Sequence, residues 1–287
     1  GSGKTLIMTH AMERIKIEKP EAKVAFLTFT HALTDLVNHG FSREGDSEQN
    51  LFEVMTHKSF LNKCKADDLF YDYVFLDEVQ DVWRKELVGL NDFSDVLVVA
   101  GDTEQKIYQY GCTEETIKRV LNPLTEGELT EVFRCTPKLR NVALSVFPES
   151  RIHEGTPMKN MRDTDLTICS FDTVKQEVDW VINRALNDAS PQDPCVILFP
   201  THQSIYDFFS VCAEIYDYED PPCEKNKQKA KIDYAAFKDY LLKIKHDENE
   251  DVNIEYFGSK HGDLEESDRI PKIFIMTFHS SKGLDFK

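Results

Sequence analysis

The chain has 287 residues, of which 41% are hydrophobic, an ordinary share for a globular protein with room for two domains. Asp and Glu outnumber Lys and Arg by 51 to 34, and the net charge of -17 argues against indiscriminate nucleic-acid binding, because phosphate backbones attract positive surfaces. The sequence has no run of 18 apolar residues, and its seven single cysteines lack CxxC pairs. We therefore expect no membrane span and a cytoplasmic protein with reduced thiols.

The first half of the chain alternates between helix and strand patterns. Apolar residues at helical spacing follow Thr5 and end before Pro20, and VAFLTFT (24–30) is typical of a buried strand. Two short apolar runs, YVFLDE and DVLVVAGD, end in acidic residues, as do parallel strands whose carboxyl ends hold polar groups. HALTDLVNHGF, HKSFLNKC and WRKELVGLNDF predict helices, and FEVMT predicts a strand. This alternation predicts an open α/β sheet.

The second half repeats the alternation. Strands are predicted for GELTEVFR, DLTICSF, PCVILFP and KIFIMT, and helices for PKLRNVALSVF, VKQEVDWVINRALNDA and HQSIYDFFSVCAEIY. The second of these helices has an apolar stripe of Val174, Val178, Val181, Ile182 and Leu186. Charged, turn-forming stretches around one helix (DYAAFKDYLLKIK) and one strand pattern (VNIEYF) then break the alternation, which indicates a small insertion at about 213–270.

A phosphate-binding pattern opens the chain. GSGKT matches the last five positions of GxxxxGK[ST], in which backbone N–H groups hold phosphate. In that pattern Lys4 reaches the β- and γ-phosphates, and the Thr5 hydroxyl binds Mg²⁺. A linker residue and chance give the same letters, so the other motifs decide between the two interpretations.

Two acidic residues follow the strand that ends at Leu76. A P-loop enzyme needs an acid at the carboxyl end of a neighbouring strand to hold Mg²⁺, which suits Asp77. Glu78, next to it, suits a general base that activates water. The alternative is a solvated acidic turn, but it does not explain why two acids directly follow four apolar residues.

Three further stretches place polar groups directly after strands. In AGDTEQKIYQY the Gln105 amide could sense a γ-phosphate, and Tyr108 and Tyr110 offer faces for base stacking; taken singly, the stretch is a capped, tyrosine-rich helix. In LTEVFRCT, Arg134 could act as an arginine finger and Phe133 could stack on adenine, although a lone surface arginine is usually solvated. IMTFHSSKGLDF suits a backbone-rich loop that holds phosphate.

Six stretches in this order, GSGKT, TFTHAL, DEVQD, GDTEQKIY, VFRCTP and TFHSSKGLDF, resemble the UvrD/Rep-like superfamily 1A helicases. The resemblance covers the chain except residues near 212–270. It implies an α/β fold of two RecA-like P-loop domains with mostly parallel sheets, residues 1–133 and 134–287, the second interrupted by the insertion at about 213–270. It also implies an ATP-dependent helicase or translocase core that acts on single-stranded DNA or RNA and hydrolyses ATP, with Mg²⁺, at a cleft between the domains.

Carried over position by position, the resemblance implies a role for each matching residue. Glu78 would be the general base, Gln105 and Arg134 would contact the γ-phosphate, and Thr5 and Asp77 would hold Mg²⁺. The residues expected to bind the nucleotide are Gly1, Ser2, Gly3, Lys4, Thr5, Phe133, Gly283 and Asp285. The residues expected to face single-stranded nucleic acid are Phe29, Thr30, His57, Tyr110, Thr277 and His279.

The sequence also departs from the family's pattern. Where the family has Trp-Arg-Gly after QxIY, this chain has Gln109, Tyr110 and Gly111, so one cationic contact is missing. The two stretches between motifs in which the family carries inserted subdomains are short in this chain. The phosphate-loop pattern is incomplete at the start, and the family's last arginine motif is absent. We therefore expect an internal fragment that has flanking domains and is poorly active in ATP hydrolysis alone.

A second function stays open on the sequence alone. The short insertions, the missing Trp-Arg and the acidic balance also suit an ATP-dependent switch in a defence or regulatory assembly, which would signal to a protein partner without separating strands. A nucleotide kinase would account for GSGKT, but it would leave GDTEQKIY and TFHSSKGLDF unexplained.

Overall fold

The computed structural model divides into two compact units, Gly1–Thr167 and Ile168–Lys287. None of the described helices has the length and hydropathy that a membrane crossing requires. The structure describes residues 3–29, 33–34, 37, 52–106, 108–123, 125–132, 136–150, 156–157, 165–224, 231–232, 234–244, 252–257 and 271–282.

A four-stranded parallel sheet lies at the centre of the first unit. Its strands are β1 (Val24–Thr28), β2 (Glu53–Thr56), β3 (Tyr71–Leu76) and β4 (Ser94–Val99), in the order β2–β1–β3–β4. In the middle of the sheet, Phe26 of β1 lies opposite Val54 of β2 and Phe75 of β3. All five residues of β1 are buried, as expected of a central strand in a parallel sheet.

Helices cover both faces of this sheet. Successive residues of β1 point to opposite faces, so Val24 and Phe26 pack with Met8 and Met12 of helix α1 (Lys4–Glu18). The alternate residues Ala25 and Leu27 belong to a second core with buried side chains of α2 (His57–Asp67) and α3 (Arg84–Asp92). The unit also contains α4 (Glu114–Leu121), α5 (Pro137–Val146) and the short parallel pair β5 (Glu131–Val132) and β6 (Thr156–Pro157).

The second unit has its own parallel sheet, in the order β10–β11–β7. These strands are β7 (Cys195–Phe199), β10 (Asn253–Tyr256) and β11 (Lys272–Thr277). Around them lie α6 (Val174–Asp188), α7 (His202–Tyr216), α8 (Tyr234–Lys243), α9 (Phe278–Ser281) and the antiparallel pair β8 (Cys223–Glu224) and β9 (Lys231–Ile232).

One hydrophobic core joins the sheet and helices of the second unit. It contains Ile182 of α6, Phe209 of α7, Phe237 of α8 and the inward residues of β10 and β11, such as Ile254 and Ile273. The described parts of the predicted insertion therefore contribute a helix and a strand to this core. The α/β fold with two parallel sheets is confirmed.

Two strand predictions differ from the structure. DLTICSF forms no strand in the described segment 165–171, where Ile168 is 85% exposed, because the segment pairs with neither sheet. GELTEVFR forms only the two-residue β5. The predicted domain boundary, between residues 133 and 134, stays a prediction; the compact units divide later, after Thr167, and the β5–β6 pairing lies within the first unit.

Candidate functional site

The first turn of α1 contacts the carboxyl end of β3. Helix α1 begins at Lys4, directly after Gly3, whose φ of 82° lies in the left-handed region that favours glycine. The Thr5 Oγ1 hydroxyl donates a hydrogen bond to Asp77 Oδ2 at 2.5 Å. The amide of Asp77 is held by the Leu27 carbonyl at 3.0 Å. Thr5, at the end of the phosphate-loop pattern, and Asp77, the predicted Mg²⁺ ligand, therefore lie together, and their binding roles stay predictions.

Asp77 lies in a mixed electrostatic environment. Asp77 is 1% exposed, and this burial raises the pKa of its carboxyl. The Thr5 hydroxyl, the Glu78 amide at 2.9 Å and the positive charge of Lys4 lower the pKa of that carboxyl, while the charge of Glu78 raises it. Burial outweighs these donors and the cation, so the pKa of the Asp77 carboxyl stays above its ordinary value.

The oxygen donors of Thr5 and Asp77 fit Mg²⁺. This cation prefers hard oxygen ligands and is usually held by one or two carboxylates together with water and substrate phosphates. Among the described residues, no group of three or more His, Cys, Asp or Glu side chains could hold a metal by itself. A metal bound here would take the remaining ligands from a nucleotide and from water.

Hydrogen bonds connect the predicted base, Glu78, to the predicted phosphate sensor, Gln105. Gln80 is fully buried; its Nε2 donates to Glu78 Oε2, and its Oε1 accepts from the Asp102 amide at 3.1 Å. Asp102 Oδ2 then accepts from Gln105 Nε2 at 3.0 Å. Glu78 itself has a φ of 56°, an uncommon left-handed conformation for a residue with a side chain, and such conformations concentrate at functional sites.

Gly101 makes room for the Gln80 side chain. A Cβ on Gly101 would lie 2.3 Å from Gln80 Oε1 and 2.8 Å from Val79 Cγ1, too close for either atom. The backbone here is also fixed, because the Val79 amide donates to the Ala100 carbonyl at 3.0 Å. The glycine of the GDTEQ stretch is therefore required for the packing of Gln80.

Five rings form a continuous row beside this network, which we call the aromatic strip. Its neighbours, with the distances between ring centroids, are His57 and Phe29 at 5.3 Å, Phe29 and Tyr108 at 5.1 Å, Tyr108 and Tyr110 at 4.9 Å, and Tyr110 and Trp83 at 4.7 Å. The strip brings together three of the residues predicted to face nucleic acid, namely Phe29, His57 and Tyr110.

Glu86 holds two members of the aromatic strip. Its Oε2 accepts a hydrogen bond from the Trp83 amide at 3.2 Å and lies 3.5 Å from His57 Nε2. His57 Nδ1 lies 3.4 Å from the Thr28 carbonyl, to which it donates when it carries the proton. Burial lowers the pKa of His57, whereas the charge of Glu86 partly offsets this by raising it. Burial also raises the pKa of Tyr108 to about 12, which keeps its hydroxyl neutral.

The predicted nucleic-acid residues of the second unit lie where β11 meets α9. Thr277 is 3% exposed, and its Oγ1 accepts a hydrogen bond from the Ser280 amide at 3.2 Å, so the side chain caps α9. His279 is exposed. It lies close enough to His202 to lower the pKa of that imidazole, which burial already lowers. The nucleic-acid roles of Thr277 and His279 stay predictions.

The remaining predicted site residues, Gly1, Ser2, Thr30, Phe133, Arg134, Gly283 and Asp285, lie outside the described residues. Their roles stay predictions. Sequence reasoning assigned no role to Gln80, Trp83 or Glu86. Gln80 stands inside the DEVQD stretch and Trp83 lies two residues after it, so their position was the available signal.

The family model for the AAA domain matches residues 1–111. This stretch includes the Thr5–Asp77 contact and the whole aromatic strip, and the match supports a P-loop NTPase domain in the first unit. No curated protein matches the chain. The crystal structure of T4 UvsW is similar over 99% of this chain, with 14% identity and a TM-score of 0.29, a score too low to support a structural argument. The chain spans about half of that protein, 54% of its length.

Proposed function

We propose that the chain is the core of an ATP-driven helicase or translocase that acts on single-stranded DNA or RNA. The observation that carries the proposal is the 2.5 Å hydrogen bond between Thr5 Oγ1 and Asp77 Oδ2. It brings the Lys-Thr end of a phosphate-binding pattern against the two acids that follow β3. This contact supports nucleoside triphosphate hydrolysis, which needs a cation, a hydroxyl and a carboxylate around one phosphate chain.

Each residue of the proposed nucleotide site has a separate task. Lys4 would bind the β- and γ-phosphate oxygens of the nucleotide, and Thr5 and Asp77 would hold Mg²⁺, which would neutralise charge on the phosphates. Glu78 orients the attacking water and accepts its proton. Its carboxylate is kept in place by the buried amide of Gln80, so the base is positioned before the nucleotide arrives.

The aromatic strip supports single-stranded nucleic acid as the substrate. Aromatic side chains bind single strands by stacking on their bases, which are accessible only when they are unpaired. With a net charge of -17, the chain has little general attraction for phosphate, so stacking has to supply much of the affinity. The proposal therefore includes a weak dependence of binding on salt.

The hydrogen bonds from Glu78 through Gln80 and Asp102 to Gln105 support coupling between the two sites. Gln105 lies only three residues before Tyr108 of the strip. A change in the Glu78 position during hydrolysis would therefore reach the segment that carries two of the stacking rings. Such a connection is what a motor needs in order to move a strand with each nucleotide cycle.

The proposal is tested by ATP hydrolysis with and without a single-stranded oligonucleotide. We expect a low basal rate that rises severalfold with the oligonucleotide. We expect no hydrolysis by Glu78→Gln, which should still bind ATP, and no stimulation of Tyr110→Ala. If neither DNA nor RNA oligonucleotides change the rate of ATP hydrolysis while ATP binding still depends on Lys4, the proposed helicase or translocase function is contradicted. That result would favour the ATP-dependent switch with a protein partner.

A further inference from the structure

The outer end of the aromatic strip carries a ring and a cation that the nucleotide site does not use. Trp83 is 40% exposed and lies 4.7 Å from Tyr110, measured between ring centroids. Lys85 Nζ lies over the face of the Trp83 ring, 4.8 Å from its centre. Lys85 lies in the first turn of α3 and Trp83 directly precedes that helix, and neither contributes to the Thr5–Asp77 contact.

We propose that Trp83 and Lys85 form an additional nucleotide-binding position, where Trp83 stacks on one base of a single strand and Lys85 contacts its phosphate. This inference rests on the proposed function, because it extends the same nucleic-acid surface. Trp83 and Lys85 are referred to below as the outer pair.

The exposed fraction of the rings increases along the aromatic strip towards the outer pair, as a binding position for an additional base requires. His57, at the inner end, is 1% exposed, whereas Tyr110 and Trp83 are 38% and 40% exposed. His57 is therefore packed in the protein, and the half-buried Phe29 and Tyr108 lie between it and the exposed rings. A strand that approaches from solvent meets Tyr110 and Trp83 first, so the exposed end is the place where an additional base can bind.

The backbone holds Trp83 in a fixed position. Trp83 forms an isolated antiparallel bridge with Gly111, and its amide donates to Glu86 Oε2 at 3.2 Å. Gly111 packs so tightly that an added Cβ would lie 2.1 Å from the Gln80 carbonyl oxygen. Trp83 is thus attached to the same segment that connects to Glu78. A ring that is fixed before binding loses little conformational entropy when a base stacks on it.

The chemistry of the outer pair matches a nucleotide. An indole offers a large face that any base can stack on. The flexible Lys85 side chain, whose ammonium lies over that face in the free protein, can move to the phosphate of the same nucleotide. The chain as a whole is strongly acidic, so a cation beside an exposed aromatic ring is a place that favours an anionic, planar ligand. An apolar protein partner would make no use of the Lys85 charge.

Tryptophan fluorescence tests the outer pair directly. The sequence has two tryptophans, so Trp180→Phe leaves Trp83 as the single emitter. The probe is an oligodeoxythymidylate with a fluorescent label at one end, together with the corresponding oligouridylate. We expect the Trp83 emission to be quenched in the same concentration range in which the anisotropy of the label rises. We expect Trp83→Ala to weaken binding about 10-fold or more, and Trp83→Phe to keep most of the affinity.

Charge variants test Lys85 separately. The logarithm of the association constant falls linearly with the logarithm of the salt concentration. Lys85→Gln should make this slope less steep by about 0.7, the value for one phosphate contact on a single strand. The control is Lys65→Gln, which removes one exposed charge from the far end of α2 and should leave the slope unchanged.

The outcomes separate this inference from the proposed function. One outcome would overturn only the inference. In it, the oligonucleotide binds and stimulates hydrolysis, but Trp83 is not quenched and neither Trp83→Ala nor Lys85→Gln changes binding. The outer pair would then not bind a nucleotide, and the proposed helicase or translocase function would stand. If the wild-type chain binds neither oligonucleotide, both proposals are overturned. Quenching without loss of affinity in Trp83→Ala would also overturn the inference, because the ring would then lie near the strand without binding it.

Discussion

The hydroxyl of Thr5 donates a 2.5 Å hydrogen bond to Asp77, a residue that lies 72 positions later in the chain and is 1% exposed. The contact fixes the first turn of α1 against the end of β3. It also satisfies one oxygen of a carboxylate that burial would otherwise leave poorly solvated.

Thr5→Val should therefore destabilise the chain even without a nucleotide. Valine has the shape of threonine without its hydroxyl, so the variant leaves Asp77 Oδ2 without this donor. We expect the free energy of unfolding to fall by about 1.5–3 kcal/mol, as for a hydrogen bond to a charged group. Urea unfolding measures the change, and Thr5→Ser, which keeps the hydroxyl, should lose much less. Equal stability of the valine variant and the wild type would contradict the contact.

Gly101→Ala should disturb the Gln80 network. The added Cβ would lie 2.3 Å from Gln80 Oε1, so the amide has to move and its bonds to Glu78 and Asp102 weaken. We expect a loss of about 1–3 kcal/mol in the free energy of unfolding, the usual cost of overpacking. The matched control is Gly127→Ala, because a Cβ there meets nothing within 4 Å. If both alanine variants unfold at the same urea concentration, the packing around Gly101 is not as described.

His57 should make stability depend on pH. Burial lowers the pKa of His57 below its ordinary value of about 6.5, so below pH 6.5 the unfolded chain binds a proton that the folded chain does not. The contribution of His57 to stability should therefore fall as the pH drops through and below 6.5, with no effect at higher pH. His57→Phe keeps a ring beside Phe29 but cannot titrate.

The measurement for His57 is urea unfolding of the wild type and of His57→Phe at pH 7.5 and pH 5.5. Carboxylates elsewhere contribute equally to both proteins, so the comparison isolates the imidazole. We expect the wild type to lose more stability than the variant on acidification. A constant difference between the two proteins would mean that His57 takes up a proton as easily in the folded state as in the unfolded one.

The second unit contains a buried ion pair that should respond differently to single and double substitution. Lys272 Nζ lies 3.0 Å from Glu255 Oε1, and the two side chains are 3% and 15% exposed. Glu255→Leu leaves the lysine charge buried without its partner, which costs about 3–5 kcal/mol. Lys272→Met combined with Glu255→Leu should recover most of that loss, because no charge then remains buried.

A surface pair provides the control for this ion pair. Lys175 and Glu214 are also 3.0 Å apart, but both side chains are 61% exposed. Glu214→Leu should change the free energy of unfolding by less than about 1 kcal/mol. Thermal or urea unfolding of the three variants and the wild type measures these differences. If Glu255→Leu is as mild as Glu214→Leu, burial does not determine the cost.

Much of the fold follows from local patterns in the sequence. β1 and β3 were predictable because each is a short apolar run at the centre of a parallel sheet, where both faces are buried. DLTICSF has a similar composition but forms no strand, since a strand also needs a neighbour to accept its hydrogen bonds. Whether a neighbour is present depends on the tertiary arrangement, which composition does not contain.

The site shows the same division. Thr5 and Asp77 were predictable because the phosphate-loop pattern and the acid after β3 have fixed places at the carboxyl edge of a parallel sheet. The role of Gln80 was not predictable, because it depends on the space that Gly101 leaves for the Gln80 side chain. The row from Phe29 to Trp83 was not predictable either, since it is assembled from segments that meet only in the folded unit.

The central claim is that Lys4, Thr5 and Asp77 form one site for ATP and Mg²⁺. Calorimetric titration of the chain with ATP, in the presence of Mg²⁺ and of a chelator, tests it most directly. We predict Mg²⁺-dependent binding by the wild type and by Glu78→Gln, and at least a 10-fold weaker affinity for Lys4→Ala and Asp77→Asn. Equal affinity of all four proteins, or binding that ignores Mg²⁺, would contradict the account.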